Sequence, residues 1–192
     1  RSVEKLIHYA SRDAMDFEGM GEKVVEQFFN QGFLTDINSL YELKKYREEI
    51  IEIDGWSYKS IDNLIEAIEK SKSNSMEKVL FALGIKEVGQ KMSKTLSRIY
   101  KSIDALSLAT FEELTSIPDV GPVLANSIVE YFKNENNLNT FEKLKIQGVN
   151  TKYLKEDSID SENFFYNKKV VLTGTLVNYG RKEAGEILES LG

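Results

Sequence analysis

Four short stretches hold the residues whose types and spacing best suit chemistry: Phe17-Glu18-Gly19-Met20-Gly21, Ile53-Asp54-Gly55-Trp56-Ser57, Ile85-Lys86-Glu87-Val88-Gly89 and Ile117-Pro118-Asp119-Val120-Gly121. Each runs apolar, any residue, small or polar turn residue, apolar, small residue, and their starts lie 36, 32 and 32 residues apart. Glycine permits a positive φ and lets a backbone come close to a ligand. A tight turn that opens a helix leaves the first amides of that helix unpaired and facing outward. Those amides and the helix dipole can hold an anion without any net positive charge. Two positions past the turn, three copies carry lysine (Lys23, Lys59 and Lys91), and the fourth carries Val123. A lysine there reaches the same anion as the amides. A single glycine turn between helices is commonly only a connection. Four copies in register, three with lysine at one offset, suit successive phosphates of a nucleic-acid backbone.

Other chemistry is poorly served. The 192 residues include no cysteine, which excludes disulfides, a thiolate zinc site and a cysteine nucleophile. His8 is the single histidine, too few for a His-based metal site or a Ser-His-Asp triad, and it is assigned no role. Carboxylates are scattered over helix faces, and runs such as Glu48-Glu49 read as solvated surface. No Walker-type loop is present, and no dinucleotide fingerprint follows a strand. No stretch approaches the length of a membrane span, and no signal peptide opens the chain. It starts at Arg1 rather than Met, which reads as a piece of something longer. The 25 basic and 31 acidic residues leave a net charge of −6. Nucleic-acid binders usually present a basic surface, and the amide turns answer that objection because they need few cations.

The elements that must position the turns are helices. Seven positions past each turn lie Phe28, Leu64, Leu96 and Ile128, and three and four past it lie Val24/Val25, Ser60/Ile61, Met92/Ser93 and Leu124/Ala125. That spacing predicts one buried stripe per helix. Helices precede the turns as well: Met76, Val79, Leu80 and Leu83 share a face, and Thr110 to Glu113 reads as a capping box. The repeated unit is helix, tight turn, helix, and residues 1–150 read as an all-helical array. Residues 151–163 are polar, carry four acids and read as a linker. Residues 164–192 then hold a β-branched run, Lys168 to Leu176, and a helical pattern through Ala184, Ile187, Leu188 and Leu191. This is the start of an α/β unit. Phe164-Phe165-Tyr166, ahead of it, is read as packing rather than as a base-stacking platform.

The repeated segments resemble helix-hairpin-helix motifs, sequence-nonspecific elements that grip the minor groove of DNA through hairpin amides. The order of features is narrower: Ser11-Arg12-Asp13-Ala14-Met15-Asp16 leads into the first turn, Leu80 to Gly89 forms the third, Ile117 to Gly121 the fourth, and Val171-Leu172-Thr173-Gly174-Thr175-Leu176 closes with a strand. This succession resembles the C-terminal half of bacterial NAD-dependent DNA ligase over essentially the whole chain. The implied fold is mainly α, a tandem helix-hairpin-helix array followed by a truncated α/β strand-helix unit that resembles the beginning of a BRCT domain.

The resemblance implies a parent that transfers AMP from NAD to a lysine, then to the 5′-phosphate at a nick, and seals the nick in replication and repair. It implies NAD, Mg and Zn for that parent, a four-cysteine zinc module ahead of Arg1, and a cytoplasmic, nucleoid-associated setting. The catalytic lysine and NAD site have no match here, so no cofactor and no catalysis are expected of this chain by itself. Its expected partners are nicked double-stranded DNA and the remaining ligase domains. The expected DNA contacts are Gly19, Gly21, Glu22, Lys23, Gly55, Ser57, Lys59, Gly89, Lys91 and Gly121, joined by Thr173 and Gly174, which match a phosphate-contact position of BRCT domains. Ser57 replaces the final glycine of the second turn, and a shared positive φ there would disfavour serine, so that hairpin is expected to be structural. Glu87 and Asp119 stand where the first two turns have their first glycine; a carboxylate there would repel phosphate unless it points away. The competing readings are a helix-hairpin-helix module of another repair protein, a helical protein-interaction adaptor, and a base-excision glycosylase. Four hairpins running into an α/β unit fit none of these as well.

Overall fold

The computed structural model describes residues 2–154, and the expected strand-helix unit with Thr173 and Gly174 lies outside the described residues. Ten α-helices and one 3₁₀ segment occur among them. The helices are α1 (Ser2–Ala10), α2 (Glu22–Asn30), α3 (Arg47–Ile50), α4 (Tyr58–Ser71), α5 (Met76–Ala82), α6 (Gln90–Tyr100), α7 (Ile103–Ser107), α8 (Phe111–Thr115), α9 (Pro122–Lys133) and α10 (Glu135–Ile146), with the 3₁₀ segment Ile37–Tyr46 ahead of α3. No strand occurs among the described residues; one isolated antiparallel bridge joins Ser102 to Lys152.

The four expected turns each connect two helices: α1 to α2, α3 to α4, α5 to α6 and α8 to α9. The predicted stripe is buried in all four second helices, with Phe28, Leu64, Leu96 and Ile128 at 0–2% exposure. Val25, Ile61, Ser93 and Ala125, one turn earlier, are also fully buried. Burying a large aliphatic or aromatic side chain contributes about 1.5–3 kcal/mol, so each hairpin is anchored chiefly by this face. Met76, Val79, Leu80 and Leu83 on the helix before the third turn are buried as expected. Thr110 caps α8 by accepting from the Glu113 N–H at 3.1 Å. Glu113 does not return the bond; its carboxylate accepts from Tyr100 Oη at 3.4 Å instead.

The hairpins associate in two pairs. In the first, the Trp56 indole of the second turn sits 5.1 Å from the Phe28 ring of α2. The exchange is reciprocal, since a Cβ on Gly19 of the first turn would lie 3.9 Å from Leu64 Cδ1 of α4. In the second pair, Ser127 Oγ of α9 donates to the Lys86 carbonyl of the third turn at 2.6 Å. His8 links the pairs: its Nε2–H donates to the Phe81 carbonyl at 2.7 Å, with the two rings edge to face at 4.8 Å. An aromatic group of buried Tyr9 and Phe17 and half-buried Tyr41 packs behind the first turn, and Tyr9 and Tyr41 share a 2.6 Å hydroxyl bond.

Residues 151–153, where the composition reads as the start of a linker, are tied to the helices. The Thr151 carbonyl accepts from Ile103 N at 3.0 Å, the Lys152 carbonyl accepts from Met76 N at 3.0 Å, and Tyr153 N donates to the Lys101 carbonyl at 2.8 Å. Polar composition suggested a free segment, but backbone groups pair whatever their side chains are. The described helices thus belong to one unit, Arg1–Tyr153.

Candidate nucleic-acid interface

All four turns share one backbone geometry. The carbonyl of the first residue accepts from the N–H of the fourth, at 3.0 Å in each: Met20 to Phe17, Trp56 to Ile53, Val88 to Ile85 and Val120 to Ile117. The third residue is left-handed in every copy, with φ of 93° at Gly19, 91° at Gly55, 72° at Glu87 and 73° at Asp119. The fifth residue is the N-cap of the following helix and is extended: φ is −84° at Gly21, −136° at Ser57, −89° at Gly89 and −91° at Gly121.

This corrects the expectation about Ser57. The position needing a left-handed residue is the third, not the fifth, and the second turn has glycine there. Ser57 occupies a conformation open to any residue. Its hairpin differs for another reason, a reciprocal cap: the Ser60 N–H donates to Ser57 Oγ at 3.2 Å, and the Ser57 N–H donates to Ser60 Oγ at 2.9 Å. Two amides that could meet an anion are thereby already engaged.

The other N-caps make no side-chain bond. Among the described residues, the N–H groups of Gly21, Glu22, Lys23 and Val24 have no acceptor, and neither have those of Gly89, Gln90, Lys91 and Met92. Pro122 opens α9, so the fourth hairpin has one amide fewer than the first and third. Each turn's last residue and the two that follow it are exposed in all four copies, and Lys23, Lys59 and Lys91 stand on that exposed rim. None of the three lysines makes an ion pair among the described residues. Val123 takes the lysine position in the fourth hairpin and is 71% exposed. Glu87 and Asp119 are exposed on the turns themselves.

The first turn also borders an open cleft of about 750 Å³, lined on its other side by Ser11 and Arg12. Arg12 is exposed, and Phe17 N of the first turn bonds back to the Ala10 carbonyl at 3.0 Å. The carboxylates of Asp16, Glu18 and Glu22 line the same cleft. At the second turn, Arg47 is committed elsewhere: it holds Asp62 through two bonds of 2.7 and 2.9 Å and covers the Tyr58 ring at 4.4 Å. That contact holds the Asp62 carboxyl below its usual range. Among the described residues, no three His, Asp or Glu side chains gather in a way that could hold a metal ion. No helix among them is long and apolar enough to cross a membrane.

Helix, left-handed turn and helix, repeated four times with three of the second helices lacking a side-chain cap, define a helix-hairpin-helix domain, and the family model for the helix-hairpin-helix motif matches residues 78–141. By sequence the chain is a relative, from end to end, of the C-terminal portion of bacterial DNA ligases. It is 40% identical over 188 residues to the DNA ligase of Acetivibrio thermocellus, covering 98% of this chain and 28% of that protein. It is 42% identical over 192 residues to the DNA ligase of Natranaerobius thermophilus, covering 100% of this chain and 29% of that protein. The DNA ligase of Clostridium perfringens is 43% identical over 190 residues, covering 99% of this chain and 28% of that protein. The chain thus spans a little over a quarter of the length of the curated relatives it matches.

Proposed function

We propose that this chain is the duplex-binding part of an NAD-dependent DNA ligase that seals nicks in replication and repair. It holds DNA by the backbone, without reading sequence. The observation that carries this reading is the set of uncapped amides at Gly21–Val24 and Gly89–Met92, each beside an exposed lysine, Lys23 or Lys91. Amides at a helix start carry partial positive charge and bind phosphate oxygens. Phosphate contacts position a protein on DNA and carry no base information. Placed along the minor groove, the hairpins would hold the duplex near a nick while the remaining ligase domains act on it.

NAD, Mg and Zn belong in this reading to those other domains, and residues 164–192, read as the beginning of a BRCT domain, would add a phosphate contact through Thr173 and Gly174. The chain itself contributes grip and orientation. Its setting is the bacterial cytoplasm, at the nucleoid.

The test is fluorescence anisotropy of the 192-residue chain with nicked and intact duplexes of unrelated sequence, across a salt series. Affinity should be alike for all sequences, and log affinity should fall linearly with log salt by about 0.9 per phosphate neutralised. Binding indifferent to salt, or confined to one sequence, would refute the reading.

A further inference from the structure

The third hairpin carries positive charge well past its turn. In α6, Lys91, Lys94 and Arg98 fall within an arc of about 60° at 100° per residue, along roughly 10 Å of helix. All three are exposed. The helix contains no Asp or Glu, and none of the three cations makes an ion pair among the described residues. This is unusual in a chain whose net charge is −6. Lys101 follows at the end of the helix, its ammonium 5.5 Å from the Tyr153 ring centroid.

The other hairpins lack this feature at equivalent places. Five positions past the turn, where α6 has Lys94, the others have Glu26, Asp62 and Asn126; nine past it, where α6 has Arg98, they have Asn30, Glu66 and Glu130. The acids on elements beside α6 are partly engaged as well. Asp104 of α7 is paired with Lys145 at 2.9 Å, and Glu113 of α8 accepts from Tyr100 at 3.4 Å.

We propose that Lys94 and Arg98 form a phosphate track that continues the third hairpin's grip along one strand of the duplex. This rests on the DNA-binding reading and adds to it a second set of contacts, made by side chains alone. Measured along the duplex axis, where one strand carries a phosphate about every 3.4 Å, about 10 Å of track spans roughly three phosphates of that strand. The amides hold one phosphate at the start of α6, and the cations meet those that follow.

The test compares the full chain with K94Q/R98Q, K91Q and a charge-matched control, K44Q/K70Q, by duplex anisotropy over a salt series. Lys44 and Lys70 are exposed cations distant in sequence from every turn-to-helix start. All the substituted side chains are exposed, and circular dichroism checks that each variant is folded. K94Q/R98Q should lower affinity about tenfold or more at low salt and reduce the salt slope by about 1.8, two contacts' worth. The control should keep both. If K91Q weakens binding while K94Q/R98Q matches the unaltered chain, the track is wrong and the hairpin reading stands. An equal loss in the control also overturns the track, since overall charge would then explain it. If the unaltered chain shows no salt-dependent duplex binding, both ideas fall.

Discussion

The Trp56 indole N–H donates to Gln27 Oε1 at 2.9 Å, which ties the second turn to the helix that follows the first. The bond has a counterpart in the other pair. Ser127, six positions past the fourth turn as Gln27 is past the first, donates to the Lys86 carbonyl of the third turn. In each pair, one residue at this helical position therefore ties its hairpin to the neighbour's turn. Gln27→Ala should leave the half-buried indole N–H without its partner and cost about 1 kcal/mol. For a chain of this size, that is a melting-temperature drop of about 2–4 °C. Trp56 is the only tryptophan, so its fluorescence reports the change directly. An unaltered melt and spectrum would show that the ring packing alone sets the pair.

Lysines at the turns should differ in weight. Lys23→Glu and Lys91→Glu each set a carboxylate beside a row of free amides, and should weaken binding of all duplexes alike. Lys59→Glu should do less, because the Ser57–Ser60 cap has already engaged two amides of its hairpin. Anisotropy titrations of the three variants on two unrelated duplexes check the order. A larger effect at Lys59 than at Lys23 would count against the role assigned to the cap.

Two glycines of these hairpins should respond differently to alanine. Gly55 has a φ of 91° with nothing within 4 Å of an added Cβ, so Gly55→Ala carries only the left-handed penalty, about 1–2 kcal/mol. Gly89 has a φ of −89° and equally open surroundings, so Gly89→Ala should leave stability nearly unchanged. By the same logic Glu87→Gly, at a φ of 72°, should raise stability modestly, and it should strengthen DNA binding by removing a carboxylate from the turn. Urea unfolding of the three variants measures this; a costly Gly89→Ala in the free protein would contradict the backbone assignment.

Alkaline pH should loosen the aromatic group behind the first turn. Burial raises the phenol pKa values of Tyr9 and Tyr41 in that group, and that of Tyr131, on α9, is pushed up to about 12 from an ordinary 10.0. The unfolded chain then releases these protons first. Their contribution is fully present below pH 10.0 and is lost as the pH rises towards 12 and beyond. Ultraviolet titration should show these phenols ionising together with unfolding, detected by circular dichroism. Ionisation at the ordinary pH in a still-folded chain would disprove their burial.

The helices, the four turns and the buried stripes were legible in the sequence because they are local. Phe28, Leu64, Leu96 and Ile128 recur at one offset, and an apolar residue repeated at helical spacing must face the interior wherever the helix is placed. The amide-and-lysine rim was legible for the same reason, since it depends only on where each helix begins. Other features depended on tertiary structure or on dihedral angles, which residue types do not fix. Glycine stands at both the third and fifth places of the first turn, and only the φ values distinguish the left-handed place from the extended one, where Ser57 sits without strain. The partners Gln27 and Trp56 lie 29 residues apart, and Ser127 and Lys86 lie 41 apart, so no periodicity could join them. Thr151 to Tyr153 look like a linker in composition because their anchoring bonds are made by the backbone, which carries the same donor and acceptor at almost every residue. The pairing of hairpins was decided in tertiary structure, by surfaces that meet only once the chain has folded.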